Sequence, residues 1–179
     1  MPLRENLVAT TLGAIALSLS ASTPAWAETN WAGLTGTWRG TGLIREYPTS
    51  VQEQGVCKFK VNANAAGTRL SFDGRCANAS QSGRVSTQLE RNLQDGSILA
   101  TSQASNIREA ITLKGEQNGR SITLASVGEF LLRGQHYSVR IDIEFSEEAH
   151  AFTMEQTVRQ ASTGQSIRVL EMIFLRQTP

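Results

Sequence analysis

Cys57-Lys58-Phe59-Lys60-Val61 and Leu70-Ser71-Phe72-Asp73-Gly74-Arg75-Cys76 decide the fold when they are laid against each other. Both alternate apolar and polar residues with period two, the pattern of half-buried strands. A turn centred on Ala66-Gly67 puts Cys57 opposite Cys76, Phe59 opposite Gly74 and Val61 opposite Phe72. Lys60 then faces Asp73 on the other side. One register satisfies a disulfide, an apolar face and a charge pair together. The bridge closes a loop of about 18 residues, worth about 3 kcal/mol in the loop-entropy model.

The same arithmetic extends along the chain. Asp95-Gly96 and Asn118-Gly119 are two-residue hairpin signals. The second pairs Leu113 with Leu124 and Gly115 with Ile122. A turn at Gly134-Gln135 pairs Leu132 with Tyr137 and Phe130 with Val139. The loop 147–150 pairs Phe145 with Phe152, and the loop 162–165 pairs Val158 with Val169 and Phe152 with Leu175. Ten antiparallel strands follow, at 36–46, 55–63, 69–77, 83–93, 97–104, 108–117, 120–131, 135–146, 151–160 and 166–177. Each neighbours the next, and no convincing helical period occurs. A meander this long removes its edges best by closing, so the expected fold is an all-β, up-and-down barrel. A β-sandwich is the other solution.

The first residues have a different character. Residues 1–6 carry Arg4, residues 7–19 are apolar, and Ala25-Trp26-Ala27 is a small-x-small cleavage site after Pro24. That is the form of a secretory signal peptide over residues 1–27. The apolar run is shorter than the roughly 20 residues that cross a bilayer. One domain, residues 28–179, is expected to remain, in the periplasm or outside the cell. In that setting two cysteines, Cys57 and Cys76, read as a disulfide. The net charge of +1 offers no basic surplus for nucleic acid, and no basic run points to a membrane surface.

Gly36-Thr37-Trp38-Arg39-Gly40 opens the first strand. This Gly-x-Trp resembles the calycin superfamily of lipocalins, fatty-acid-binding proteins and avidins, which implies a barrel whose closed end Trp38 plugs. With Tyr47-Pro48-Thr49 the stretch looks like nitrobindins, ten-stranded barrels that hold haem through a histidine near the last strand. Here Ser162-Thr163-Gly164-Gln165-Ser166 fills that region without one, and His136 and His150 fall in loops, so no cofactor is carried over. Only Trp31 and Trp38 survive cleavage, too few aromatics for an avidin-like biotin site. A second resemblance is to periplasmic inhibitors of secreted metalloproteases, also disulfide-bridged Gly-x-Trp barrels. It implies that residues 28–34 enter a protease cleft. The pattern of Trp, Cys and strands also resembles uncharacterised exported barrels of α-proteobacteria.

No metal cluster, phosphate loop or nucleophile–base pair stands out, so no catalytic residue is named. Register supplies the polar features instead. Asp142 faces Glu155 across strands, which needs Arg140 or another cation nearby. Ile141, Gln156 and Glu171 align on the inward face, and a carboxylate there is costly unless paired. The expected interior site is Trp38, Phe59, Phe72, Tyr137, Ile141, Gln156 and Glu171, holding a small, largely apolar ligand with Glu171 as polar anchor. The structural alternative pairs Glu171 with an arginine or turns it outward at a bulge. Leu170, Met172 and Phe174 then point outward, as a contact for a partner protein or a second copy, unless the segment with Trp31 covers them.

Overall fold

The computed structural model describes residues 29–178. The cleavage signal and Glu28 lie outside these residues. The strands are β1 (Gly36–Ile44), β2 (Glu53–Ala63), β3 (Arg69–Ala77), β4 (Ser82–Arg91), β5 (Ser97–Ala104) and β6 (Ile111–Asn118). They continue with β7 (Ser121–Ser126), β8 (Phe130–Leu132), β9 (Gln135–Phe145), β10 (Ala151–Gln160) and β11 (Ser166–Gln177). A 3-10 turn, Trp31–Leu34, precedes them. Every neighbouring pair is antiparallel, and β11 pairs with β1 to close a ten-strand ring. The short β8 continues β7 above that ring and pairs with the start of β9. The expected strand at 120–131 is thus interrupted at residues 127–129.

The β2–β3 register holds throughout, with Cys57 opposite Cys76, Val61 opposite Phe72 and Lys60 opposite Asp73. The cysteines form the disulfide, inside the barrel wall. Two hairpins slip by two residues from expectation. Gly115 pairs with Leu124 and Phe130 with Tyr137, because the turns centre on Gly119-Arg120 and Arg133-Gly134. A two-residue slip keeps each side chain on its face, so the core is unaltered.

The β10–β11 pairing slips by one, and there the faces exchange. Thr157 pairs with Arg168 but Gln156 pairs with Leu170, leaving Val169 as an extra residue. This bulge reverses the parity of everything after it. Phe152 meets Phe174 and Met154 meets Met172. Leu170, Met172 and Phe174 are buried inside, where an outward contact surface was expected. Ile173 and Leu175 are the residues left outside, about half exposed. The amide of Arg45 donates to the bulged Val169 carbonyl at 2.8 Å, so the loop after β1 seals the irregularity.

The lower half of the barrel is packed with rings. Phe152 lies 4.5 Å from Phe174, 5.0 Å from Trp38 and 5.6 Å from Phe145, centroid to centroid. Phe59 and Phe72 complete the cluster. Gly40 leaves the space that the Phe174 ring fills. Below the rings sits the 3-10 turn. Trp31 is wholly buried, and its indole N–H donates to Gln117 Oε1 at 2.9 Å. The Trp38 indole donates to the Leu34 carbonyl at 3.0 Å. Arg176 lies over the Trp38 ring at 4.9 Å and donates to the Gly33 carbonyl.

Gly115 marks the tightest strand approach. A Cβ there would stand 1.8 Å from the Thr123 carbonyl oxygen, which belongs to the paired backbone. Relief requires the strands to part, and forced overpacking of this kind typically costs about 1–3 kcal/mol. Gly115→Ala is expected to lower Tm by about 5 °C in a thermal scan, whereas Gly128→Ala, in open space, leaves it unchanged.

Candidate functional site

The upper half of the barrel is lined by small side chains. Thr87 pairs with Ser102, Val85 with Ala104, and Cys76 lies nearby on β3. These cannot fill the width that six aromatics fill below, and an apolar cavity of about 100 Å³ remains above Phe59 and Phe72. It shares Cys76, Val85, Ala104, Ile107, Gln156 and Leu170 with a second cavity of about 180 Å³ at the mouth. Even together they stay below the ~300 Å³ of the smallest drug-sized sites.

Three segments frame the mouth. The first is the loop 45–52, in which the Ser50 hydroxyl donates to the Tyr47 carbonyl and accepts from the Tyr47 amide. The second is the loop 105–110, whose Ile107 dips into both cavities. The third is β8, which contributes Phe130 and Leu132. Arg133 stacks on the Tyr47 ring at 3.3 Å and pairs with Glu46 at 3.8 Å, tying the first segment to the third.

The two glutamines of the interior have opposite fates. Gln117, at the floor, is saturated. Its Oε1 accepts from Trp31 and from Arg91, and its Nε2 donates to the carbonyls of Thr29 and Gly119. Gln156, half-buried opposite Ile141, lines both cavities. Its side-chain amide has no hydrogen-bond partner among the described residues. The amide is only half-buried, so it is free to meet a polar group that enters the cavity.

Of the expected site residues, Phe59, Phe72, Ile141 and Gln156 line the inner cavity. Trp38 lies beneath it in the ring cluster, and Tyr137 is buried against Phe130 near the top. Glu171 is the exception. The bulge at Val169 puts it on the outer surface, where Arg168 holds it at 2.9 Å. The anchor role therefore falls away; of the two structural alternatives, the bulge that turns Glu171 outward is the one realised, and the arginine meets it on the surface. Glu171 stands beside Glu155, which stands beside Asp142, so three acids cross three strands. Arg168 also reaches Glu155 at 3.2 Å, and Arg140 reaches Asp142 at 2.8 Å. Partial burial pushes the Asp142 carboxyl up. Hydrogen bonds from Arg140 and Thr123, with the Arg140 charge, outweigh it and hold the group below its ordinary value.

The sequence reading missed Tyr47, Ile107, Phe130 and Glu53. Glu53 faces inward beside Ile44 at the rim and buries one carboxylate oxygen without a hydrogen-bond partner, but it does not line the cavity. The small residues Ala100, Ser102 and Ala104 at alternate positions were the available signal for an unfilled upper half. Among the described residues no three His, Cys, Asp or Glu converge as a metal site.

The expected protease-entering segment is also placed. Thr29 and Trp31 are buried, and the Thr29 amide donates to the Gly119 carbonyl. Residues 29–34 serve as the plug of the closed end and do not extend from the barrel. Nor does Trp31 cover the outer face of β11, since its partners are Gln117 and Arg91.

No protein-family model and no curated protein matches the chain. The architecture does have a solved counterpart. The crystal structure of Rv2717c from M. tuberculosis is similar to it with a TM-score of 0.60 at 13% identity, over 82% of this chain and 94% of that one. At that identity the likeness is one of fold, an antiparallel barrel. No helix among the described residues is long and apolar enough to cross a membrane, and the disulfide suits an oxidising compartment.

Proposed function

We propose that this protein is an exported, calycin-like carrier that takes a small, largely apolar molecule into the upper half of its barrel. The observation that carries the reading is the contrast between the two glutamines. The floor glutamine is consumed by the fold, and Gln156 is left facing a largely apolar cavity with its amide unspent. An amide offers one acceptor and two donors, so it matches a carboxyl, lactone or carboxamide group on the ligand. The small cavity restricts that ligand to fragment size, its apolar body between Ile107, Ile141 and Leu170.

Native mass spectrometry of protein purified from its own periplasm is expected to show a bound small molecule. Gln156→Leu weakens its retention about tenfold, the worth of one hydrogen bond. Ala104→Phe fills the passage between the two cavities and abolishes retention while the fold persists. A wild type that carries nothing, or an Ala104→Phe variant that retains as much as the wild type, refutes the carrier.

A further inference from the structure

On the outer surface four cations stand in one cross-strand row. Arg39 of β1 pairs with Lys58 of β2, Lys58 with Arg75 of β3, and Arg75 with Arg84 of β4. All four are exposed. Like charges directly opposite one another are destabilising, and none of these four forms an ion pair among the described residues. The nearest acid on that face, Asp73, stands opposite Lys60 and accepts a hydrogen bond from Ser86 at 2.6 Å. Among the described residues, the one side-chain hydrogen bond from the row runs from Arg75 to Ser82, at 3.5 Å.

The acidic row on the adjoining strands β9, β10 and β11 is the internal control. Asp142, Glu155 and Glu171 also stand in register, but each is ion-paired, Asp142 with Arg140 and the two glutamates with Arg168. The chain gives every member of its anionic row an ion-pair partner and the members of its cationic row none among the described residues, while the whole molecule carries only +1. Attraction here would be local, set by register and not by net charge.

The shape of the row selects the kind of anion. Strand spacing makes it about 14 Å long, with one charge every ~4.8 Å. Three of ten steps around a closed barrel turn the outward direction by roughly 100°. A flat bilayer cannot meet all four side chains on so convex a wall, whereas a flexible chain can bend over it. Single-stranded nucleic acid needs aromatic platforms as well as charge. None of the exposed large apolar side chains among the described residues is aromatic. The row is flanked instead by Thr37, Thr41, Ser82 and Ser86, small hydroxyls suited to a hydroxylated polymer.

We infer that this row is a binding face for an acidic polysaccharide, whose carboxylate or sulfate groups meet Arg39, Lys58, Arg75 and Arg84 in turn. Guanidinium forks suit such oxyanions. The face lies on the outer wall, and only its end at Arg84 and Ser82 also borders the mouth cavity.

The test uses polygalacturonate and heparin as probes, with the full chain, at low and rising salt. Binding is expected, with log K falling against log salt at a slope near about −3 if four charges are neutralised. Lys58→Gln with Arg75→Gln should weaken it at least tenfold and halve the slope, with the thermal midpoint equal or raised as the like-charge repulsion is relieved. Arg39→Gln with Arg84→Gln is the second, independent pair. Lys114→Gln, on the outer face of β6, should change affinity less than twofold. No binding at low salt, or equal loss in Lys114→Gln, overturns the inference. So does tighter binding to oligo-dT or to phosphatidylglycerol vesicles, or a loss of concentration-dependent self-association as the sole effect of the paired substitutions.

Discussion

Trp38→Ala is expected to lower the unfolding free energy by about 3–5 kcal/mol, the usual cost of removing a large buried aromatic. For a domain of this size that is a Tm lower by on the order of 10 °C. Three losses coincide at this residue. The ring leaves a void beside Phe152, 5.0 Å away, in the cluster that fills the lower barrel. The Leu34 carbonyl loses the indole donor that holds the 3-10 turn. Arg176 loses the face over which it lies. Trp38→Phe separates them, since it keeps most of the ring contact and removes only the donor. It should cost about 1–2 kcal/mol. Calorimetric scans of the three proteins check the order. If Trp38→Phe were as damaging as Trp38→Ala, the indole hydrogen bond and not the packing would be holding the closed end.

Removing the disulfide is the second large effect. Cys57→Ala with Cys76→Ala should cost about 3 kcal/mol, from the loop of about 18 residues that the bridge closes. Both sulfurs are inside the barrel, Cys57 wholly buried and Cys76 nearly so. Cys76 borders the narrow mouth cavity, so reductant meets the bond chiefly when β2 and β3 open and otherwise only through that passage. Dithiothreitol alone is expected to leave the native protein oxidised for hours. With denaturant near the transition, the wild type should drop to the midpoint of the double variant, which itself shows no response. Rapid reduction in the absence of denaturant would mean that this part of the wall opens locally.

These two sites belong to the part of the molecule that was legible in sequence. The β2–β3 register was readable because three constraints of different kind agreed on it. Part of the ring cluster was readable too, Trp38 from Gly-x-Trp and Phe145 beside Phe152 from their pairing, but Phe174 at its centre was expected outside. The polar anchor was not readable. Residues 167–175 are apolar on both parities, so the hydrophobic pattern that normally fixes register had no preference there. One extra residue at Val169 then decided which set faced inward, and Glu171 went outward with it. Gln156 lies before the bulge on β10, and its inward placement survived. The cationic row was invisible for a related reason. Its members lie 9 to 19 positions apart in sequence, and only strand pairing assembles them.

The closing pair of the ring has a consequence for how the chain can be made. β1 finds one of its two partners in β11, more than 120 residues further along the chain and made long after it. Until residue 177 is free, β1 carries an open edge with Trp38 beside it, and every earlier intermediate is an unclosed sheet. Such long-range pairing is slow and leaves unfinished edges available to other chains. A copy truncated before β11 would therefore be a sticky sheet with two free borders, not a smaller barrel. Whatever handles the nascent protein must hold the first strand apart until the last one arrives.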